Sequence, residues 1–166
     1  PFGLDCVRLV LRQIGNPLDN GPPSHTIRRM TSVPKPTVQA FLVCDSVIED
    51  SLTKKKCLIG IFTHLQAMTF PFHHQQLGLY FCMTDAEGTY HFDIDLVYVN
   101  TEQLVCRAAL PKIVIGDRLQ ISDFGINIPS LLFPAPGRYE FRLRMDGCLI
   151  AQKDFNVIQM PSHKAA

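Results

Sequence analysis

Thr89-Tyr90-His91-Phe92-Asp93-Ile94-Asp95-Leu96-Val97-Tyr98-Val99 is the stretch that decides the fold. Tyr90, Phe92, Ile94, Leu96 and Tyr98 alternate with His91, Asp93 and Asp95. Successive strand side chains point to opposite faces, so a period of two predicts a half-buried β-strand with the aromatic and aliphatic residues inward. The same grammar recurs downstream. Tyr139, Phe141, Leu143 and Met145 alternate with Glu140, Arg142 and Arg144, and the strand ends at Asp146-Gly147, a strong short hairpin signal. Cys148 to Ile158 is the returning strand.

Working upstream, Leu77 to Thr84 alternates Leu77, Leu79, Phe81 and Met83, and Asp85-Ala86-Glu87-Gly88 separates it from the opening stretch. The two runs are expected to form an antiparallel hairpin. Cys57 to Phe70 is one further run, with Ile59, Ile61, Thr63, Leu65 and Ala67 on one face and Gly60 marking a bulge or a close neighbour. Val38 to Val47 is β-branched and apolar. Gln103 to Leu110 and Ile113 to Ile115 are weak edge candidates around Pro111, and Arg118 to Ile128 is a strand that bends near Gly125. Asp50 to Lys56 reads as a polar loop or a short helix. About seven strands at sandwich spacing, with almost no helical period, predict an all-β, immunoglobulin-like antiparallel β-sandwich. Tyr139 follows Pro136-Gly137 at the start of the penultimate strand. There a tyrosine can turn back to hydrogen-bond the corner it has just left.

The chain has 166 residues, 46% of them hydrophobic, which suffices for one domain with its own core. Residues 1–36 differ from the rest. Asn16-Pro17, Gly21-Pro22-Pro23, Pro34 and Pro36 punctuate them, and Arg8, Arg12, Arg28, Arg29 and Lys35 outnumber Asp5 and Asp19. They read as an irregular leader ahead of a β-sandwich domain over 37–160 and a tail over 161–166. Met30 stands just before the first strong strand, so the expected natural start is Met30, with residues 1–29 upstream or appended sequence.

A net charge of +1 gives no electrostatic argument for nucleic acid, an acidic membrane or a strongly acidic substrate. Lys54-Lys55-Lys56 is too short for a nucleic-acid footprint and reads as a solvated loop. No apolar run approaches the roughly 18 residues that cross a bilayer. There is no G-x-S-x-G elbow and no glycine-rich phosphate loop leading into a helix. Cys6, Cys44, Cys57, Cys82, Cys106 and Cys148 form no zinc-type pair. Cys44, Cys57, Cys82 and Cys148 lie in or beside apolar runs, so reduced, buried thiols and a cytoplasmic location are expected.

Three sets of residues carry candidate chemistry. His64, His73, His74, His91, Asp93 and Asp95 are candidate metal ligands, since alternate residues of one strand stand about 7 Å apart on a face. A polar outer face with loop histidines explains them at lower cost, so no metal and no cofactor is the expected state. Asp45, Glu49 and Asp50 are a thin carboxylate set for calcium, which takes about six to eight oxygens; Asp45 is read instead as bonding local backbone. Ile126, Ile128, Leu131, Leu132 and Phe133 form an interaction surface if they lie outside the core. Tyr80 and Tyr98 are the tyrosines available to stack on a sugar.

The pieces Ala40-Phe41-Leu42-Val43-Cys44-Asp45-Ser46-Val47-Ile48-Glu49-Asp50, Leu58-Ile59-Gly60-Ile61-Phe62, Phe70-Pro71, and Pro136-Gly137-Arg138-Tyr139-Glu140-Phe141 through Asp146-Gly147 occur in that order. They resemble a bacterial family of small immunoglobulin-like β-sandwich proteins described only as a domain of unknown function, over about residues 36–158. The resemblance implies a short, stand-alone cytoplasmic protein and brings no activity, cofactor or catalytic residue. The expected function is a non-enzymatic binding or scaffolding module whose partner is another protein, with a homodimer through a sheet face or edge as one form. The alternative is a metal-binding protein or metal-dependent hydrolase using the His/Asp face.

Overall fold

Alternation without helical period produces an all-β chain. In the computed structural model, which describes residues 35–161, there are eleven strands: β1 (Thr37–Glu49), β2 (Lys56–Ile61), β3 (His64–Ala67), β4 (Phe72–Thr84), β5 (Gly88–Tyr90), β6 (Phe92–Tyr98), β7 (Gln103–Ala109), β8 (Ile113–Ile115), β9 (Ser122–Phe133), β10 (Gly137–Met145) and β11 (Cys148–Gln159). They form a four-stranded sheet of order β2-β1-β4-β9, a five-stranded sheet of order β3-β11-β10-β6-β7, and a ribbon of β5 with β8. Every pairing is antiparallel except β3 with β11. The leader, its start at Met30, Cys6 and the tail beyond residue 161 lie outside the described residues.

Inward residues of the two large sheets make one core. Leu77, Leu79, Phe81, Met83, Ile126 and Ile128 from the first meet Phe92, Ile94, Leu96, Tyr139, Phe141, Leu143 and Phe155 from the second. Phe133, Tyr139, Phe141 and Phe155 interlock, with the Phe133 and Tyr139 ring centroids 4.9 Å apart and edge-on. Each such buried ring contributes about 2–3 kcal/mol through its removal from water. The corner tyrosine takes its expected place. Tyr139 Oη donates to Ala135 O at 2.7 Å and accepts from Ala135 N at 3.4 Å. At the other end of the strand, Asp146 (φ 46°) and Gly147 (φ 83°) make the two-residue turn into β11.

Several strand expectations are corrected. The stretch that opened the reading breaks at His91: β5 leaves with β8, while β6 joins β10 and β7. Tyr90 Oη accepts from Glu87 N and donates to Glu87 O, both at 2.9 Å, which fixes the turn leading into β5. The expected hairpin of Leu77–Thr84 with Thr89–Val99 therefore does not form, and β4 and β6 lie in opposite sheets. Alternation shows which face is buried and not which strand is the neighbour. Cys57–Phe70 is likewise two strands, one in each sheet, and Ile59 and Ile61 are not inward. Asp50–Lys55 is a turn rather than a helix. The last strand of the first sheet runs to Phe133, beyond its expected end at Ile128. Among the described cysteines all are free, yet Cys57 and Cys148 are exposed, because one lies on the outward face of a hairpin and the other follows the Asp146-Gly147 turn.

Candidate functional site

The exposed apolar residues of β1 and β2 sit on a hairpin that leaves its sheet and folds back over it. β1 pairs with β4 only from Thr37 to Cys44, where Cys44 lies opposite Gly78. Beyond that point its ladder is with β2 alone, from Ser46↔Ile59 to Glu49↔Lys56. Both strands bend at Asp45 and Gly60. Gly60 has φ 65°, and a Cβ there would run into the Asp45 carboxylate, so glycine is required twice over.

Two more glycines let the hairpin lie flat on the outer face. A Cβ on Gly78 would stand 3.0 Å from the Ser46 backbone, and one on Gly125 would stand 2.5 Å from Val47 Cγ1. Polar groups then fasten it. Asn127 of β9 acts as a strand in miniature, since its Oδ1 accepts from Val47 N at 2.9 Å and its Nδ2 donates to Val47 O at 2.8 Å. Gln76 Nε2 donates to Ser46 Oγ at 3.0 Å. The Lys56 stem packs over Gly125 and its Nζ lies 3.2 Å from Asp123 Oδ1; this lysine is only 13% exposed. The tip is ordered by Asp50, whose Oδ1 accepts from Leu52 N, Thr53 N and Thr53 Oγ1 at 2.6–3.0 Å. The hydrogen bonds from Thr53 hold the Asp50 carboxyl below its usual range.

Directly opposed residues of an antiparallel pair share a face. Val47 and Leu58 therefore look at the sheet, while Ile48 with Cys57 and Ser46 with Ile59 look at solvent. Ile48 is 50% exposed, Ile59 49%, Ile61 59% and the tip residue Leu52 90%. The face is thus an aliphatic strip that carries one exposed thiol, Cys57.

The residues singled out from sequence fare differently. His64 lies exposed on β3, His73 and His74 on β4 of the other sheet, His91 between β5 and β6, and Asp93 and Asp95 on β6. Among the described residues no three His, Cys, Asp or Glu side chains come together as a metal site, and this holds for Asp45, Glu49 and Asp50 as well. Several have other partners. His73 Nε2 is 2.8 Å from Ser130 Oγ. His91 exchanges two hydrogen bonds with Asp146, N–H to Oδ1 at 3.1 Å and O from Asp146 N at 2.8 Å, which ties the β10–β11 turn to the strand switch. Asp95 is corrected from an open ligand to a covered one. It is 2% exposed, and its carboxylate accepts from Arg107 Nε (2.5 Å), Arg107 Nη2 (2.8 Å) and Arg144 Nε (3.1 Å). The Arg107 hydrogen bonds, with those of Arg144, hold its carboxyl below the usual carboxylate range. His74 packs on Phe72, its Nε2 is buried without a partner, and burial lowers its pKa.

The expected surface Ile126, Ile128, Leu131, Leu132 and Phe133 is also corrected. All but Leu132 are buried in the core. Ser130, at φ 61°, switches the facing of β9, so Leu131 and Phe133 turn inward although they are out of phase with Ile126 and Ile128. Tyr98 is half-buried and donates to Pro136 O at 3.0 Å. Tyr80 is half-buried, with its hydroxyl pKa pushed up to about 12 by burial and by the neighbouring Cys82 and Asp123. The hairpin surface was the residue set missed, and its signals were Gly60, Gly78 and Gly125.

Comparison with known proteins adds little chemistry. No curated protein matches the sequence. Among solved structures, the chain is similar to Pseudomonas fluorescens alkylpurine DNA glycosylase AlkC bound to DNA containing an abasic site analog. The identity is 11% and the TM-score 0.46, with 74% of this chain and 30% of that chain covered. A likeness of that degree carries no argument about this chain, which spans less than a third of the glycosylase's length. The family comparison is firmer: matched over residues 39–158, the chain belongs to the family of unknown function DUF6941.

Proposed function

We propose that the chain is an immunoglobulin-like, non-enzymatic binding or scaffolding module that engages another protein through the outward face of the β1–β2 hairpin. The carrying observation is the strip Ile48, Leu52, Ile59 and Ile61, held open on a hairpin fastened by Asn127, Gln76 and Lys56. An ordered backbone that keeps aliphatic side chains in water loses stability it would recover by burying them against a partner. The immunoglobulin-like reading is supported by the adjacent run β11-β10-β6 in the five-stranded sheet and by the Tyr139 corner at the start of β10.

The test is site-specific photo-cross-linking in the protein's own host, with a benzophenone side chain at position 59, at 61, or at 119. Leu119 is the control because it is 86% exposed and apolar but far from the hairpin in sequence. Discrete adducts from 59 and 61, absent from 119, are expected. Equal labelling at all three positions, or none at 59 and 61, overturns the reading.

A further inference from the structure

Among the described residues, four strands border the two large sheets: β2, β9, β3 and β7. Three of them are blunted. β9 carries Pro129 followed by Ser130 at φ 61°. β3 has only four residues. β7 is paired through a bulge and carries Arg107, locked onto Asp95. Prolines, bulges, short length and charges are the usual protections of an exposed edge.

β2 is the least protected of the four. Its one charge, Lys56, is drawn down onto Gly125 and Asp123, the remaining Cys57-Leu58-Ile59-Gly60-Ile61 contains no proline and no charge, and among the described residues β2 is hydrogen-bonded only to β1. Gly60 bends the strand without slipping it, for Ile59 stays opposite Ser46 and Ile61 opposite Cys44. Asn127 satisfies the inner edge of the hairpin at Val47, so β1 is tied down and β2 is the side left open.

Size decides what fits. A standard interface between globular proteins takes roughly 20–30 residues a side. The hairpin face offers Ile48, Leu52, Cys57, Ile59 and Ile61, too few for a stable pair of these domains. The open edge is six residues long, about 20 Å at roughly 3.3 Å per residue, which is the reach of a short extended segment. Charge narrows the class further. Asp45, Glu49 and Asp50 balance Lys54, Lys55 and Lys56 around the edge, so neither an acidic nor a basic segment is favoured.

We infer that the β2 edge takes an uncharged, extended segment of a partner protein as an added strand, with β-branched side chains at alternate positions lying beside Cys57, Ile59 and Ile61. This rests on the reading of the hairpin as the binding surface and names the partner's chemistry. Backbone pairing gives such a complex its affinity, and the alternate side chains give it specificity.

The experiment uses the full 166-residue chain, labelled with nitrogen-15, and the blocked peptide acetyl-(Thr-Val)3-amide as probe. Shifts confined to Lys56–Ile61 and the opposing β1 residues, with slowed exchange of the β2 amides, are expected. The effect is expected to disappear with I59D, whose remaining spectrum reports an intact fold, and with a peptide N-methylated at alternate residues. Absent shifts, shifts elsewhere, or equal binding of the N-methylated peptide overturns strand addition. Sedimentation of the protein alone provides the other arm: self-association that protects the same β2 amides makes a second copy the occupant and overturns the inference. Adducts at position 59 with no peptide binding would leave the binding-module reading standing and remove only strand addition.

Discussion

Substituting Asn127→Ala isolates what fastens the hairpin. The side chain supplies one acceptor for Val47 N and one donor for Val47 O, at 2.9 and 2.8 Å. Each hydrogen bond contributes about 1 kcal/mol net, and a buried group left unpaired costs about 1–3 kcal/mol. Val47 is buried, but the hairpin can lift and hydrate it, which caps the loss at the docking energy of Val47 and Lys56. The expected destabilisation is about 2 kcal/mol, or a fall in Tm of about 6–10 °C for a domain of this size. Urea unfolding gives the free energy, and amide exchange gives its location: β2 and the outer half of β1 should open before the core strands do. N127D refines the argument. Its carboxylate still accepts from Val47 N but opposes Val47 O, so at pH 7 it should lose at least as much. Part should return as the carboxyl is protonated below about pH 4 and can donate. Losses within about 0.5 kcal/mol for both variants, with unchanged hairpin exchange, would refute the fastening argument, because that is what an idle surface substitution costs.

Other substitutions probe the rest of the molecule. Y139F removes the donor to Ala135 O and should cost about 1 kcal/mol by urea unfolding, with the fold intact by amide spectra. D95N should cost about 1–2 kcal/mol, discounted for the partial exposure of both arginines. Because the folded carboxyl titrates below the unfolded one, the difference from the parent should be full above about pH 4 and shrink as pH falls through the folded pKa, read from unfolding at several pH values. His74 has the opposite sign of charge: its folded pKa is lowered, so the parent should lose stability as pH falls below about 6.5, and H74F should flatten that slope. G60A should cost about 1–3 kcal/mol through its positive φ and the Asp45 contact, and adding D45A should recover only the contact part in the same assay.

The parts of the fold legible in sequence were those where one face meets the core. Tyr90, Phe92, Ile94 and Leu96 were read as inward and are buried, as are Tyr139, Phe141 and Leu143. The Asp146-Gly147 turn and the Tyr139 corner were legible because each is a local rule about a few adjacent residues. Pairing was not. The break at His91 depends on Tyr90 reaching Glu87 and on Asp146 arriving from 55 residues away. Asp95 looked like an open ligand because its own strand says nothing of Arg107 and Arg144 on the two strands beside it.

The exposed apolar face of the hairpin was illegible for a different reason. An apolar residue on a strand is assigned inward by default, since burial is the commonest use of isoleucine. Ile59 and Ile61 defeat that default because their hairpin rests on a sheet whose inner face already has a core, leaving it one side to bury and one to show. What sequence did carry was the cost of bringing one backbone against another. Gly60, Gly78 and Gly125 each stand where a single methyl would strike the hairpin or its bend. Glycine in a strand interior weakens the strand, so three of them in neighbouring strands imply a close approach worth more than they lose. Here that approach fastens a set of exposed isoleucines against the outer face of the sheet. The prediction that follows is specific: G125V, which places branched carbon where Val47 lies, should free the hairpin and raise exchange in β2 while the core amides stay protected. Loss of core protection in step with β2 would mean that the hairpin is part of the core's cooperative unit and not a separately docked element.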